Sequence, residues 1–221
     1  MIVKICGMRE QETLDTAAAC GADMAGFIFA RSSPRALRPA EAARLDTGVM
    51  RRVGVFTTDS QEEILSAAAL ARLDLIQLHG GQPDALVQTL ARTFGAEHLI
   101  RVFWPQRYTD RKDLERDLLK AAPDVGYFLL DAGRGGGGHG SALDAAFLAG
   151  LESPRPWLLA GGLNCANVTE SVARCRPDGV DFNSGLEDAP GLKNPALIRA
   201  VLSALGKLGT DNPLPRISRA M

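Results

Sequence analysis

Apolar positions along the chain fall into eight short runs, at residues 2–6, 23–30, 51–56, 73–79, 98–104, 126–131, 156–161 and 179–183. Each run has strand length and is rich in β-branched, aromatic or other apolar residues. Between them lie segments whose apolar residues recur at helical spacing: 11–20, 39–45, 61–70, 83–94, 110–121, 142–151, 166–174 and 195–205. Boundary signals agree with this division. Asp59 or Ser60, Asp110 and Asn164 stand where N-caps are expected, and Gly21, Gly95 and Gly150 stand where helices end in a left-handed residue. Eight strands alternating with eight helices imply parallel strands joined by crossover helices. The number eight predicts an α/β fold of the (β/α)8 TIM-barrel type, one domain over residues 1–205 followed by a polar tail at 206–221. An open doubly wound sheet is the competing architecture, but no GxGxxG follows the first strand.

In such a barrel the chemistry sits where strands end and βα loops begin. Alternation along the first strand puts Lys4 and Cys6 on the face opposite Val3 and Ile5, so both polar groups point inward. Cys6 at this position reads either as an inert buried thiol or as a reactive group. Asp131 closes the sixth strand on the face of Tyr127 and Leu129, as a functional carboxylate or as a loop-start Asp that caps local backbone. His79 ends the fourth strand and reads equally as proton carrier, substrate contact or plain loop histidine. Arg35, in Ser-Ser-Pro-Arg after strand two, is either solvated or a fork for a substrate carboxylate. Gly161 and Gly162 follow strand seven, and Ser184 and Gly185 follow strand eight. Glycine-rich turns in those two loops suit a phosphate. Lys4 needs a partner for its buried charge, and parity in strand eight offers Asp181, so the sequence predicts a Lys4–Asp181 ion pair beneath Cys6.

Composition narrows the partners. Hydrophobic residues are 46% of the 221, enough for a large core, and 25 basic against 26 acidic residues leave no surplus charge for nucleic acid or a membrane surface. The expected partner is a small phosphorylated molecule, with no nucleic acid and no membrane; monomer and homodimer both remain open. The four cysteines, Cys6, Cys20, Cys165 and Cys175, form no CxxC pair, so neither a metal site nor a disulfide framework is expected, and free thiols fit the cytoplasm. No apolar stretch approaches the roughly 20 residues that span a bilayer.

Several fragments in order resemble the phosphoribosylanthranilate isomerase family: VKICGM (3–8), GFIFARSSPR (26–35), VGVF (53–56), IQLHG (76–80), LLD (129–131), LAGGLN (159–164), GVDFNSGLED (179–188) and PGLKN (190–194). The resemblance implies an isomerase of tryptophan biosynthesis that needs no cofactor. It converts N-(5-phosphoribosyl)anthranilate to the corresponding aminoketose by an Amadori rearrangement. It further implies Cys6 as general base, Asp131 as general acid, Arg35 at the anthranilate carboxylate, and Gly161–Gly162 with Ser184–Gly185 as the phosphate cradle; His79 is a candidate substrate contact. The sixth loop departs from the family pattern: Ser141 replaces the customary Lys or Arg, and Ala145 replaces an aromatic residue. Other classes compatible with a phosphosugar barrel are the related isomerase of histidine biosynthesis, which carries Asp where Cys6 stands, indole-glycerol-phosphate synthase, whose Lys and Glu set has no counterpart here, and a barrel that binds phosphorylated ligands without turnover.

Overall fold

The computed structural model describes residues 1–132 and 145–206. Eight parallel strands close into a barrel in sequence order: β1 (Ile2–Ile5), β2 (Met24–Ile28), β3 (Arg51–Phe56), β4 (Leu75–Leu78), β5 (Leu99–Phe103), β6 (Tyr127–Asp131), β7 (Trp157–Ala160) and β8 (Gly179–Phe182). The helices between them are α1 (Gln11–Ala19), α2 (Pro39–Ala42), α3 (Gln61–Leu70), α4 (Asp84–Leu90), α5 (Arg111–Ala121), α6 (Ala145–Leu148), α7 (Val168–Cys175) and α8 (Pro195–Gly206). All eight expected strands are present.

Strand alternation separates two apolar layers. Val3, Ile5, Ala25, Phe27, Ile76, Leu78, Phe128, Leu130, Val180 and Phe182 pack outward against the helices in one cluster. Met24, Val53, Leu75, Ile100, Val102, Tyr127, Leu129 and Leu158 fill the barrel itself. Cys6, Ile28 and Val55 form a smaller cluster of their own. Side chains therefore plug the barrel, and the polar groups that close its C-terminal end rest on that plug.

The N-terminal rim uses a repeated device. Asp23, Asp74 and Asp178 each stand just before an even-numbered strand, and each carboxylate accepts an amide from the first or second residue of the preceding strand: Val3 at 2.8 Å, Arg52 at 2.7 Å and Trp157 at 3.0 Å. These amides would otherwise be orphaned at the mouth of the ladder.

Local details differ from the sequence reading in four places. Ser60 and Asp110 cap α3 and α5, accepting from Glu63 N and Lys112 N, but α7 starts at Val168 and its N-cap position is Asn167. Asn164 instead folds its side chain onto Ala166 N at 2.8 Å, an Asx turn one step ahead of the helix. The segment after α4 widens into a π-helical turn, Ala91–Gly95, before Gly95 (φ 99°) breaks it. A short hairpin, β9 (Glu187–Ala189) with β10 (Leu192–Lys193), occupies the eighth loop. Finally, α8 runs through Gly206, so the expected tail loses its first residue to the helix, and the rest lies outside the described residues. Ser141 also lies outside them, whereas Ala145 opens α6.

Candidate active site

Cys6 follows directly on β1, its amide held by Phe182 O at 2.7 Å, and only 4% of the residue is exposed. The neighbouring strand makes room for it. A Cβ built on Gly26 would stand 3.0 Å from both Cys6 Cα and Cys6 Sγ, so β2 carries glycine where the thiol must pack against backbone. Beneath it, Lys4 Nζ meets Asp181 Oδ1 at 2.8 Å, with the lysine fully buried and the two residues paired in register across β1 and β8. The ion pair expected from strand parity is therefore present. Burial pushes the Cys6 thiol above its ordinary pKa; Lys4 pulls it down, Asp181 pushes it up, and Lys193 pulls it down again. Burial is the largest influence on Asp181 as well and drives its carboxyl upward against the attraction of Lys4.

Asp131 ends β6, three strands from β1 around the closed barrel, and is 8% exposed. Its Oδ2 lies 3.6 Å from His79 Nε2, within ion-pair range but longer than a hydrogen bond. His79 is seated from two sides. Trp104 meets its ring edge-to-face at 5.7 Å, and Gln77 Nε2 stands 3.0 Å from His79 Nδ1. With the amide donating, a neutral ring carries its proton on Nε2, the nitrogen that faces Asp131.

Arg35 is not a solvated loop arginine. It is 8% exposed and forked onto Glu187, with Nε at 2.9 and 3.1 Å from the two carboxylate oxygens and Nη2 at 2.7 Å. The same carboxylate receives Lys193 Nζ at 2.6 Å, and Lys193 also donates to Asn183 O at 3.1 Å and Asn183 Oδ1 at 2.9 Å. Gly7 (φ 72°) lies against this group: a Cβ there would meet Asn183 Oδ1 at 2.9 Å, Arg35 Cδ at 3.0 Å and Lys193 Nζ at 3.4 Å. Only glycine combines that conformation with that contact.

The seventh and eighth loops touch through backbone. Gly161 and Gly162 have φ of 109° and 77°, and the side-chain amides of Asn164 and Asn167 both reach Gly162 O, at 3.3 and 3.1 Å. A Cβ on Gly185 would fall 2.0 Å from Leu163 O, so the two loops close on one another only because residue 185 lacks a side chain. Ser184 and Gly185 begin a 3-10 turn there. Cys6, Arg35, His79, Asp131, Gly161, Gly162, Ser184 and Gly185 thus all stand at strand ends or in βα loops on the C-terminal side, with Lys4 and Asp181 within β1 and β8.

Over this whole framework the chain aligns with known proteins. The profile of the family described as N-(5'phosphoribosyl)anthranilate (PRA) isomerase matches residues 3–204. The chain belongs to the phosphoribosylanthranilate isomerase family. Among its relatives, an N-(5'-phosphoribosyl)anthranilate isomerase of Desulfovibrio desulfuricans is 51% identical over 207 residues, covering 94% of this chain and 96% of the relative. The crystal structure of TrpF from Jonesia denitrificans superposes with a TM-score of 0.81 at 32% identity, covering 96% of this chain and all of the other. A phosphoribosyl anthranilate isomerase in complex with reduced 1-(o-carboxyphenylamino)-1-deoxyribulose 5-phosphate superposes with a TM-score of 0.75 at 30% identity, covering 93% and 100% of the two chains.

Against this family frame, Lys193 and Glu187 are the polar groups to which the residue reading gave no role. Both lie in quoted motifs, PGLKN and GVDFNSGLED, but neither stands at a strand end of the barrel. Their burial depends on Arg35, 152 positions from Glu187. Among the described residues no cluster of His, Cys, Asp and Glu is placed to hold a metal ion, and no helix is long and apolar enough to cross a membrane.

Proposed function

We propose that this chain isomerises N-(5'-phosphoribosyl)anthranilate to 1-(2-carboxyphenylamino)-1-deoxyribulose 5-phosphate, a step of tryptophan biosynthesis, with Cys6 as general base and Asp131 as general acid. The observation that carries the assignment is the placement of a buried thiol on β1 and a carboxyl on β6, three strands apart at the active end of a family barrel. Asp131 donates a proton to the furanose ring oxygen, and the ring opens to an iminium. The Cys6 thiolate removes the C2 proton, giving an enolamine that ketonises to the product. The carbon skeleton is conserved and no electrons leave the substrate, so an acid and a base suffice.

The ends of the substrate find matching groups. Glu187 takes Nε and Nη2 of Arg35, which leaves Nη1 to meet the anthranilate carboxylate. The touching turns at Gly161–Gly162 and Ser184–Gly185 suit the phosphate, because glycine amides at such turns approach an anion without side-chain obstruction. His79, with Nε2 toward Asp131, is the side chain we assign to contact the sugar. Such a biosynthetic enzyme acts on a soluble metabolite, in keeping with a cytoplasmic location.

The test is turnover of freshly generated phosphoribosylanthranilate by the intact chain and by two variants. Cys6→Ala abolishes turnover while retaining a product analogue. Asp131→Asn lowers the chemical step by about 10²–10⁴-fold, the usual worth of a general acid. No turnover by the wild-type chain would leave a barrel that binds phosphorylated ligands without catalysis. Near-normal rates in either variant would remove that residue from its role.

A further inference from the structure

Lys193, the cation of the eighth loop, has a side chain 1% exposed, and three oxygens hold its ammonium: Glu187 Oε1 at 2.6 Å, Asn183 Oδ1 at 2.9 Å and Asn183 O at 3.1 Å. The lysine comes from a two-residue strand in a loop hairpin, and its ammonium stands 3.4 Å from the position a Cβ would take on Gly7, the residue after Cys6. Asn183, its second partner, directly follows Phe182, whose carbonyl receives the Cys6 amide. The lysine thus lies against Gly7 on one side and, through Asn183, next to the residue that holds the Cys6 amide on the other.

We propose that Lys193 is a positioning residue for Cys6: clamped by Glu187 and Asn183, it holds a fixed ammonium beside the Cys6–Gly7 turn and favours the thiolate over the thiol. This rests on the reading of Cys6 as the base. Three charged groups act on the thiol, Lys4 on its own strand, Asp181 on β8 and Lys193 on β10; in turn Arg35 and Glu187 surround Lys193, and Asp131 and His79 act on Asp181. Lys4 pairs with Asp181 at 2.8 Å and also reaches the thiol, on which it acts more strongly than Lys193 does. Lys193 is the second cation that lowers the cost of ionising Cys6, and its attraction to the thiolate in turn supports its own charge against burial.

The full-length protein with Lys193→Met, and with Lys193→Arg as the conservative control, is alkylated with iodoacetamide between about pH 7 and 9.5, a range bracketing the free-thiol pKa. Peptide mass separates Cys6 from exposed Cys20 and Cys165. A cation at close range moves a pKa by about 1–3 units. A one-unit rise cuts the thiolate about tenfold, and the greater nucleophilicity of the more basic thiolate returns about threefold, so Cys6 in Lys193→Met reacts about threefold more slowly. Isomerase kcat/KM falls in parallel, while Lys193→Arg restores both. An unchanged alkylation rate in folded Lys193→Met overturns the proposal, whatever happens to activity. If Lys193→Met does not fold, Lys193→Gln, which keeps hydrogen bonds without the charge, is read in the same way. If neither neutral variant folds while Lys193→Arg does, the ammonium is a structural ion and the proposal falls. A slowed alkylation with intact isomerase activity would instead remove Cys6 as the base, leaving the electrostatic role standing.

Discussion

Replacing Lys4 by Met is expected to destabilise the fold by about 3–5 kcal/mol, the usual result of stranding one member of a buried pair. At 2.8 Å and an effective dielectric of about 20, the gross attraction is about 6 kcal/mol. Desolvation of both ions consumes much of that, so the pair's net worth is far smaller than the cost of breaking it. Removal of Lys4 leaves Asp181 buried, with Asp131 opposing its charge. The carboxyl then escapes by taking up a proton, which limits the loss. Asp181→Asn keeps the shape and strands the lysine instead, with only Cys6 near it as a counter-ion. The double variant Lys4→Met/Asp181→Asn strands nothing. It should cost at least about 2 kcal/mol less than the sum of the single changes, a coupling at the upper end of those seen for contacting residues. Urea unfolding at neutral pH, fitted for all four proteins, gives the cycle. Additive single changes, or a Lys4→Met protein as stable as wild type, would show that the pair is a geometric contact without energetic consequence.

The other predictions concern the walls of the site. Gly26→Ala forces a methyl to within 3.0 Å of Cys6 Cα and Sγ; it should cost about 1–3 kcal/mol, as overpacking does, and lower isomerase activity disproportionately, since catalysis is sensitive to displacements of about 1 Å. Full activity in that variant would show that the thiol has slack. Burial raises the Glu187 pKa, but hydrogen bonds from Arg35 and Lys193 outweigh it and hold the carboxyl below its ordinary 4.5. Its stabilising contribution is therefore present above pH 4.5 and lost as pH falls through the lower folded value. Unfolding midpoints between about pH 3 and 7, the range spanning a glutamate's titration, should lose that acid-side slope in Glu187→Gln; an identical slope in both proteins would contradict the assignment. Arg35→Ala should raise KM for the anthranilate substrate far more than it lowers kcat, and a pure kcat effect would move Arg35 from binding to chemistry.

The barrel was legible in the sequence because the same pattern recurred eight times. Each strand run alternates strongly enough that the inward set could be read by parity, and Lys4, Cys6, Asp131 and Asp181 all followed from counting by twos. Their partners across the barrel also followed, since closure makes β1 and β8 neighbours. The eighth loop was not legible in this way. Strands of three and two residues, Glu187–Ala189 and Leu192–Lys193, are too short for any period, and nothing local distinguishes a buried Lys193 from a solvated one. What buries it is a carboxylate shared with Arg35 at a separation of 152 residues. The same contact explains why Arg35 looked from sequence like a loop arginine. The π-helical turn at Ala91–Gly95 keeps the side-chain spacing of a helix closely enough that only hydrogen-bond register separates them. Residues 133–144, where the family pattern is broken at Ser141, lie outside the described residues.

The charge placed around Cys6 has a direction that stability alone does not explain. Three cations, Lys4, Arg35 and Lys193, are paired with two carboxylates, Asp181 and Glu187. Within these five side chains alone one positive charge is in excess while the thiol is neutral; Asp131 adds a further carboxyl to the surroundings of Asp181. Filling the same volume with well-packed apolar side chains would in general be as stable or more so, and the surrounding barrel is already built that way. Burial by itself drives the thiol the wrong way for a base. On the proposed assignment of Cys6 as base, a thiolate in so buried a place needs cations supplied from within the protein. The chain provides one on the strand that leads into the cysteine and one in the hairpin of the eighth loop, beside Gly7. Gly7 leaves room for the Lys193 ammonium, and Gly26 leaves room for the thiol itself.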